Sequence, residues 1–218
     1  MAEKSLAEKL KELDKISEGI NKKAGRSIAG RVGADPEIED MLRVSFIPTP
    51  SQNINEVMGG GFPRGKTTII AGMPDSGKTS LVLESIGKAM KENPNFVAGW
   101  LESENSLNLE YVRDTFQIDL DRFVFVTHER EGAGEEALNR VEAIMATGNV
   151  DLLCINSLKC LVPSEEFVKG FGSLQVGAQA RMNSKMTRKL TSIIQESNTA
   201  FVIVTHLTTM IGKQQMCA

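Results

Sequence analysis

An α/β architecture with a mainly parallel central sheet, preceded by one amphipathic helix, follows from three observations. Short apolar runs rich in β-branched residues alternate with segments of helical periodicity between residues 67 and 205, a pattern that covers both faces of a parallel sheet with helices. Between the first run, Thr67-Thr68-Ile69-Ile70-Ala71, and the first helical segment stands Gly72-Met73-Pro74-Asp75-Ser76-Gly77-Lys78-Thr79, a strand–loop–helix junction of the form G-x-x-x-x-G-K-T. Ahead of both, residues 2–21 place Leu6, Leu10, Leu13, Ile16 and Ile20 near one face of a charged helix.

Composition sets the outer bounds. A chain of 218 residues holds one domain with an appendage, and 41% hydrophobic with 24% charged residues fits a globular protein. A net charge of −3 excludes coating of nucleic acid by bulk charge and leaves room for a local basic stripe. Cys154, Cys160 and Cys217 have no metal-ligand spacing, and their odd number without a signal peptide fits reduced thiols in a cytosol. No apolar run approaches membrane-spanning length, so the expectation is a cytoplasmic protein without a membrane partner.

A charged amphipathic helix of this kind is not stable alone, so its stripe must dock, either on its own domain or on a neighbouring subunit. Residues 22–35 are polar and interrupted by Gly25, Gly30 and Gly33, with Ile28 and Val32 as a thin apolar thread. They read as a flexible linker that can add an edge strand to a partner. Residues 47–51 carry two prolines and are extended or turn-like; residues 54–58 form a short helix closed by Gly59-Gly60-Gly61. Strands follow at 97–102, 123–127, 152–156 and 200–205, and helices at 80–91, 109–115, 135–147 and 174–197. Ligand residues then belong at the carboxyl ends of the strands.

The glycine loop points to a nucleoside triphosphate with Mg²⁺. Backbone N–H groups from Gly72 to Thr79 and the positive end of the next helix surround the β-phosphate, with Ser80 completing the contacts. Lys78 reaches the outer phosphates, and the Thr79 hydroxyl ligates the metal. Glu104, just past the strand that ends in Glu102, is the candidate general base for an attacking water. The strand at 152–156 should end in an aspartate that holds the metal's water shell, but it ends in Asn156, which keeps the shape and supplies no charge. Asp151 lies at the opposite end of that strand and cannot replace it. At the end of the last strand, His206 is either a contact to the γ-phosphate or an incidental strand-end histidine.

A basic stripe stands apart from this chemistry. Arg181, Ser184, Lys185 and Arg188 share one helical face, while Met182, Met186, Leu190 and Ile193 form an apolar one. A cationic stripe on an acidic chain fits phosphate-backbone contact, or is a solvated helix face.

Taken together these residues resemble the RecA family of recombinases over nearly the whole chain. The resemblance rests on the first helix, the linker at 25–33, the run at 47–65 ending Gly60-Gly61-Phe62-Pro63-Arg64-Gly65, and the phosphate loop. It continues through Trp100-Leu101-Glu102-Ser103-Glu104, Asn108-Leu109-Glu110-Tyr111, residues 150–157, the segment Gln179-Ala180-Arg181-Met182-Asn183-Ser184-Lys185-Met186-Thr187-Arg188-Lys189-Leu190, and Ser197-Asn198-Thr199. It implies a RecA-like ATPase core at 34–218 and an oligomerisation helix with its linker at 1–33.

By that resemblance ATP is the nucleotide, Glu104 and Lys78 are catalytic, and Tyr111 lies against the adenine with Asn108 beside it. Thr79 and Asn156 face the metal. His206 stands where bacterial members carry a γ-phosphate-sensing glutamine, and a histidine there is similar to some phage recombinases. The resemblance also places the basic helix and the loop before it beside single-stranded DNA, through Val176, Gly177, Arg181, Ser184 and Arg188. Gly170, Gly172 and Gly177 keep that loop mobile until DNA orders it.

The implied partners are single-stranded DNA and further copies of the chain in a helical filament built through the first helix. The core is short at its C-terminus, ending in the region of the second DNA-binding loop, as a fragment or a naturally short form. The function expected is ATP-dependent recombination by homologous pairing and strand exchange. The alternatives are an ATP- and DNA-binding annealing module with little turnover, and a RecA-fold helicase or regulatory ATPase.

Overall fold

The computed structural model describes residues 4–127, 134–169, 177–209 and 216–217. They fall into two compact units, Met1–Val44 and Ser45–Ala218.

The first unit starts with α1 (Leu6–Ala24). Ser5 caps it reciprocally with Glu8, and Gly25 ends it in the left-handed region at φ 69°, where glycine carries no Cβ penalty. Bonding to Ser5 holds the Glu8 carboxyl below its usual range. Beyond the helix the chain is tied rather than free, contrary to the expectation of a flexible linker. Asn21 Oδ1 accepts the N–H groups of Ile28 and Ala29 at 2.9 and 3.0 Å, and its amide donates to Ala29 O at 2.8 Å. Ser27 donates to Asp35 at 2.6 Å, and Arg31 grips Asp14 through two bonds of 2.7 Å. Asp35 then caps a helix the sequence reading missed, α2 (Pro36–Leu42). Asp followed by Pro at the first helical position is a start signal. This compact unit runs to Val44.

The second unit opens with β1 (Phe46–Ile47), α3 (Gln52–Met58) and β2 (Phe62–Pro63), the two strands pairing antiparallel. Gly61 makes that pairing possible. At φ 122°, a Cβ there would stand 2.2 Å from Ile47 O.

The sheet follows. Its strands are β3 (Thr67–Gly72), β4 (Ala98–Glu102), β5 (Phe123–Thr127), β6 (Leu152–Asn156) and β7 (Ala200–His206). They are all parallel in the order β3-β7-β6-β4-β5. The helices are α4 (Lys78–Glu92), α5 (Leu109–Phe116), α6 (Gly134–Ala146), α7 (Ser164–Lys169) and α8 (Ala178–Ser197). Short strands β8 (Thr208–Thr209) and β9 (Met216–Cys217) pair antiparallel. Of the helix expected at 174–197, residues 174–176 lie outside the described residues, as do Gly170 and Gly172.

Pleating divides the core into two layers. Trp100, Leu152, Cys154, Val202 and Val204 pack with Val82, Leu83 and Ile86 of α4 and Val112 of α5. Leu101, Leu153, Ile155, Phe201 and Ile203 pack with Val141 and Met145 of α6 and Met182, Met186 and Leu190 of α8. Because β6 and β4 are covered on both faces, all their residues are buried, and they read as continuous apolar runs rather than alternating ones. Each large side chain buried this way contributes about 1.5–3 kcal/mol. No helix among the described residues is long and apolar enough to cross a membrane.

Glycine also sets how closely α4 approaches α5. A Cβ on Gly87 would meet Phe116 O at 1.9 Å, and a backbone carbonyl cannot swing aside as a side chain can. Gly87→Ala is therefore expected to destabilise the core by about 2–3 kcal/mol, lowering the thermal midpoint by roughly 5–10 °C. Calorimetry against the unmodified chain checks this, and an unchanged midpoint would contradict the packing.

Candidate functional site at the carboxyl edge of the sheet

The parallel register delivers chemistry to one edge. Gly72 pairs with His206 across β3 and β7, and Glu102 pairs with Asn156 across β4 and β6. The phosphate loop leaves β3 and enters α4 through Gly77, left-handed at φ 83°. No side chain caps α4, so its first-turn N–H groups are free for an anion's oxygens. Asp75 takes the left-handed region at φ 59°, a conformation aspartate tolerates better than most residues. Lys78 is 7% exposed, and its ammonium donates to Met73 O at 2.6 Å inside the loop.

From the loop a hydrogen-bonded path runs along the strand ends. Thr79 donates its hydroxyl to Asn156 Oδ1 at 3.1 Å, and Asn156 Nδ2 donates to Glu102 Oε2 at 3.1 Å. The second bond sets the amide's orientation, because a carboxylate only accepts. Trp100 Nε1 shares the same Glu102 oxygen at 2.9 Å. The other oxygen accepts Glu104 N–H at 3.0 Å and both the N–H and hydroxyl of Ser106 at 3.3 Å. Ser103 closes the turn, its N–H on Asn156 O at 2.8 Å and its hydroxyl on Ser157 O at 2.7 Å.

Glu104 therefore leaves β4 with its backbone held, and its side chain meets His206, Oε1 to Nε2 at 2.7 Å. Both are partly exposed, at 20% and 27%. Among the described residues, His206 Nδ1 is buried without a hydrogen-bond partner.

Thr79, Asn156, Glu104 and His206 are thus assembled at one edge with the loop. Asp151 is occupied at the far end of β6, where it pairs with Arg64 at 2.8 Å and accepts Val97 N–H at 2.9 Å. Asn108 caps α5 by accepting Tyr111 N–H at 2.9 Å. Tyr111 stays 52% exposed and packs edge-on against Phe116 at 5.3 Å.

The donor set fits Mg²⁺ carried in by a triphosphate. No group of three His, Cys, Asp or Glu among the described residues can hold a metal by itself, and Mg²⁺ on phosphates needs only one or two protein groups. Thr79 and Asn156 offer a hydroxyl and an amide oxygen. Cys154 does not contribute: burial, with the charge of Glu102 added, pushes its thiol well above the usual range and keeps it protonated.

On α8, Arg181, Ser184, Lys185 and Arg188 border a shallow hollow of about 400 Å³. Gly177, left-handed at φ 80°, caps the helix, and Arg181 pairs with Glu165 of α7. Val176 lies outside the described residues.

Glu102 was not singled out by sequence reasoning as the centre of this network. A signal was present. A carboxylate closing an apolar strand, two residues from the chain's one tryptophan, needs donors if it is buried, and the indole N–H on the same face is one.

Comparison with known proteins identifies the family. The RecA N-terminal domain family matches residues 11–216. Protein RecA of Chlorobaculum parvum is 34% identical over 205 residues, covering 94% of this chain and 56% of the relative. Protein RecA of Nautilia profundicola is 34% identical over 207 residues, with 94% and 56% covered, and that of Thermus aquaticus 33% over 205 residues, with 94% and 57%. The chain spans a little over half the length of these curated relatives. An all-parallel sheet with a phosphate loop, and a family match over most of the chain, lead to one conclusion: the chain belongs to the RecA family.

Proposed function

We propose that this chain is an ATP-dependent recombinase module that binds single-stranded DNA and assembles into filaments for homologous pairing and strand exchange. The continuous path from Thr79 through Asn156 and Glu102 to Glu104 and His206 carries the reading, because it joins a phosphate loop to a base and a sensor. Loop N–H groups and Lys78 hold the β- and γ-phosphates, and Lys78 exchanges Met73 O for phosphate oxygens. Thr79, with Asn156 beside it, would hold Mg²⁺ brought in on the phosphates, and the ion would supply positive charge near the leaving group. Tyr111, with Asn108 beside it, offers an exposed ring for the adenine.

Glu104 takes the proton of the attacking water. In the present geometry it is engaged by His206, so the γ-phosphate must draw His206 away before Glu104 can act. The same displacement would report the triphosphate to the chain that follows β7. Asn156 adds no negative charge beside the metal, which favours slow turnover with secure binding. Assembly is supported by α1, where Leu6, Leu13, Ile16 and Ile20 are 72%, 54%, 54% and 42% exposed and suit a second subunit. DNA contact is assigned to Gly177, Arg181, Ser184 and Arg188, with Val176 before them.

Lys78→Ala is expected to abolish nucleotide-dependent binding of single-stranded DNA, and undiminished ATP-dependent binding in a filter or anisotropy assay would sink the mechanism. Glu104→Gln should slow ATP hydrolysis by about 10²–10⁴-fold with nucleotide affinity little changed. A steady-state assay with and without DNA checks it, and comparable loss of binding would reassign Glu104 to a structural role. Arg181→Ala and Arg188→Ala should each weaken DNA binding and flatten the logarithmic salt dependence by roughly 0.7, the share of one single-strand phosphate contact. A slope identical to that of the unmodified chain would remove the stripe from the interface.

A further inference from the structure

We propose that Glu102 is a positioning residue of this site, acting with Asn156 as one carboxylate–amide pair that aims the Asn156 oxygen at Thr79 and holds the backbone of Glu104. The proposal rests on the ATP-binding reading for its consequence and on geometry for its existence. Glu102 is 4% exposed and Asn156 fully buried, and the two side chains touch at 3.1 Å. A side chain this buried has few ways to satisfy its charge, and here five donors do so: the indole of Trp100, the amide of Asn156, the N–H of Glu104, and the N–H and hydroxyl of Ser106.

The donors come from three parts of the site: the core layer on β4, the end of β6 and the turn after β4. Asn156 leads to Thr79, Glu104 is the base, and Trp100 anchors the pair in the core layer against α4 and α5. One carboxylate thus sets two distances that a phosphoryl-transfer site depends on, from the metal side to the loop and from the base to the strand edge.

The pair also accounts for asparagine at position 156. An aspartate there would bring two carboxylates to hydrogen-bond distance in a buried place, where like charges strongly disfavour each other. With Glu102 supplying the charge, the neighbour must be a donor on one side and an acceptor on the other. An amide is both. The site's negative charge therefore sits on β4, one strand over from where Thr79 makes its contact, and is relayed through a neutral group.

The test uses the full chain in four forms: unmodified, Asn156→Asp, Glu102→Gln, and the swap carrying both changes. Asn156→Asp restores a charge beside the metal yet should lower the thermal midpoint without nucleotide and weaken Mg²⁺–ATP binding at least tenfold. The swap, again one carboxylate and one amide, should recover part of both losses. Asn156→Asp that binds as well as the unmodified chain, or a swap no better than Asn156→Asp, overturns the pair.

Should the variants fail to fold, the unmodified chain still decides, because its one tryptophan donates to the shared Glu102 oxygen. Trp100 emission should change on adding ATP with Mg²⁺ and much less with ATP in EDTA. Constant emission while equilibrium dialysis registers Mg²⁺–ATP binding refutes the proposal. Absence of ATP binding by dialysis refutes the nucleotide reading instead, and the midpoints measured without nucleotide then judge the pair alone.

Discussion

Burying the Glu102 carboxylate at the end of β4 is the constraint on which the functional edge depends. Moving a charged group out of water costs several kcal/mol unless donors replace the lost hydration. The fold meets that requirement by drawing Trp100, Asn156, Glu104 and Ser106 to one point. Two of the residues that stabilise the charge, Asn156 and Glu104, also belong to the candidate site. Removing the charge would relax the turn at 103–106, the amide of Asn156 and the indole together.

This arrangement needs a rigid frame, and the parallel sheet supplies it. β4 and β6 are buried on both faces, and their register sets Glu102 opposite Asn156 without any adjustment by loops. The close approach of α4 to α5 at Gly87 brings the helix that starts with Lys78 tight against the core layer containing Trp100. Loop, helix and indole are therefore connected through packed atoms as well as through hydrogen bonds. At the opposite end of the sheet, Arg64 and Asp151 tie β6 to the chain entering β3, with Arg64 6.0 Å from the centre of the Phe96 ring. One end of the sheet is thus held by an ion pair, and the candidate site lies at the other.

Much of the fold was legible because its signals are local. The strand at 67–72, the loop motif and the helical patterns all follow from residue type and spacing within a dozen positions, and the observed helices differ from the expected ones mainly by one or two residues at their ends. Two helices escaped notice. α2 and α7 have 7 and 6 residues, too short for an apolar period to emerge, although Asp35-Pro36 marks the start of the first. The strands β1 and β2 have 2 residues each, and their pairing spans a helix and three glycines, so no local pattern announces it. The stretch at 22–35 looked flexible because its glycines are visible in sequence, while the bonds from Asn21, Ser27 and Arg31 that tie it down are not.

The site shows the same division. Gly72 to Thr79, Glu104, Asn156, His206 and the spacing of Arg181, Ser184 and Arg188 were all nameable from the sequence, because residue type and position along an element carry that information. Their mutual arrangement was decided by tertiary structure alone. That His206 engages Glu104 across a sequence separation of 102 depends on β7 lying between β3 and β6. That Asn156 serves Thr79 and Glu102 at once depends on strand register. A sequence specifies which groups a chain carries and which local element each one rides on, whereas the order of strands in a sheet is set by long-range packing, and only that order brought these groups within hydrogen-bond distance.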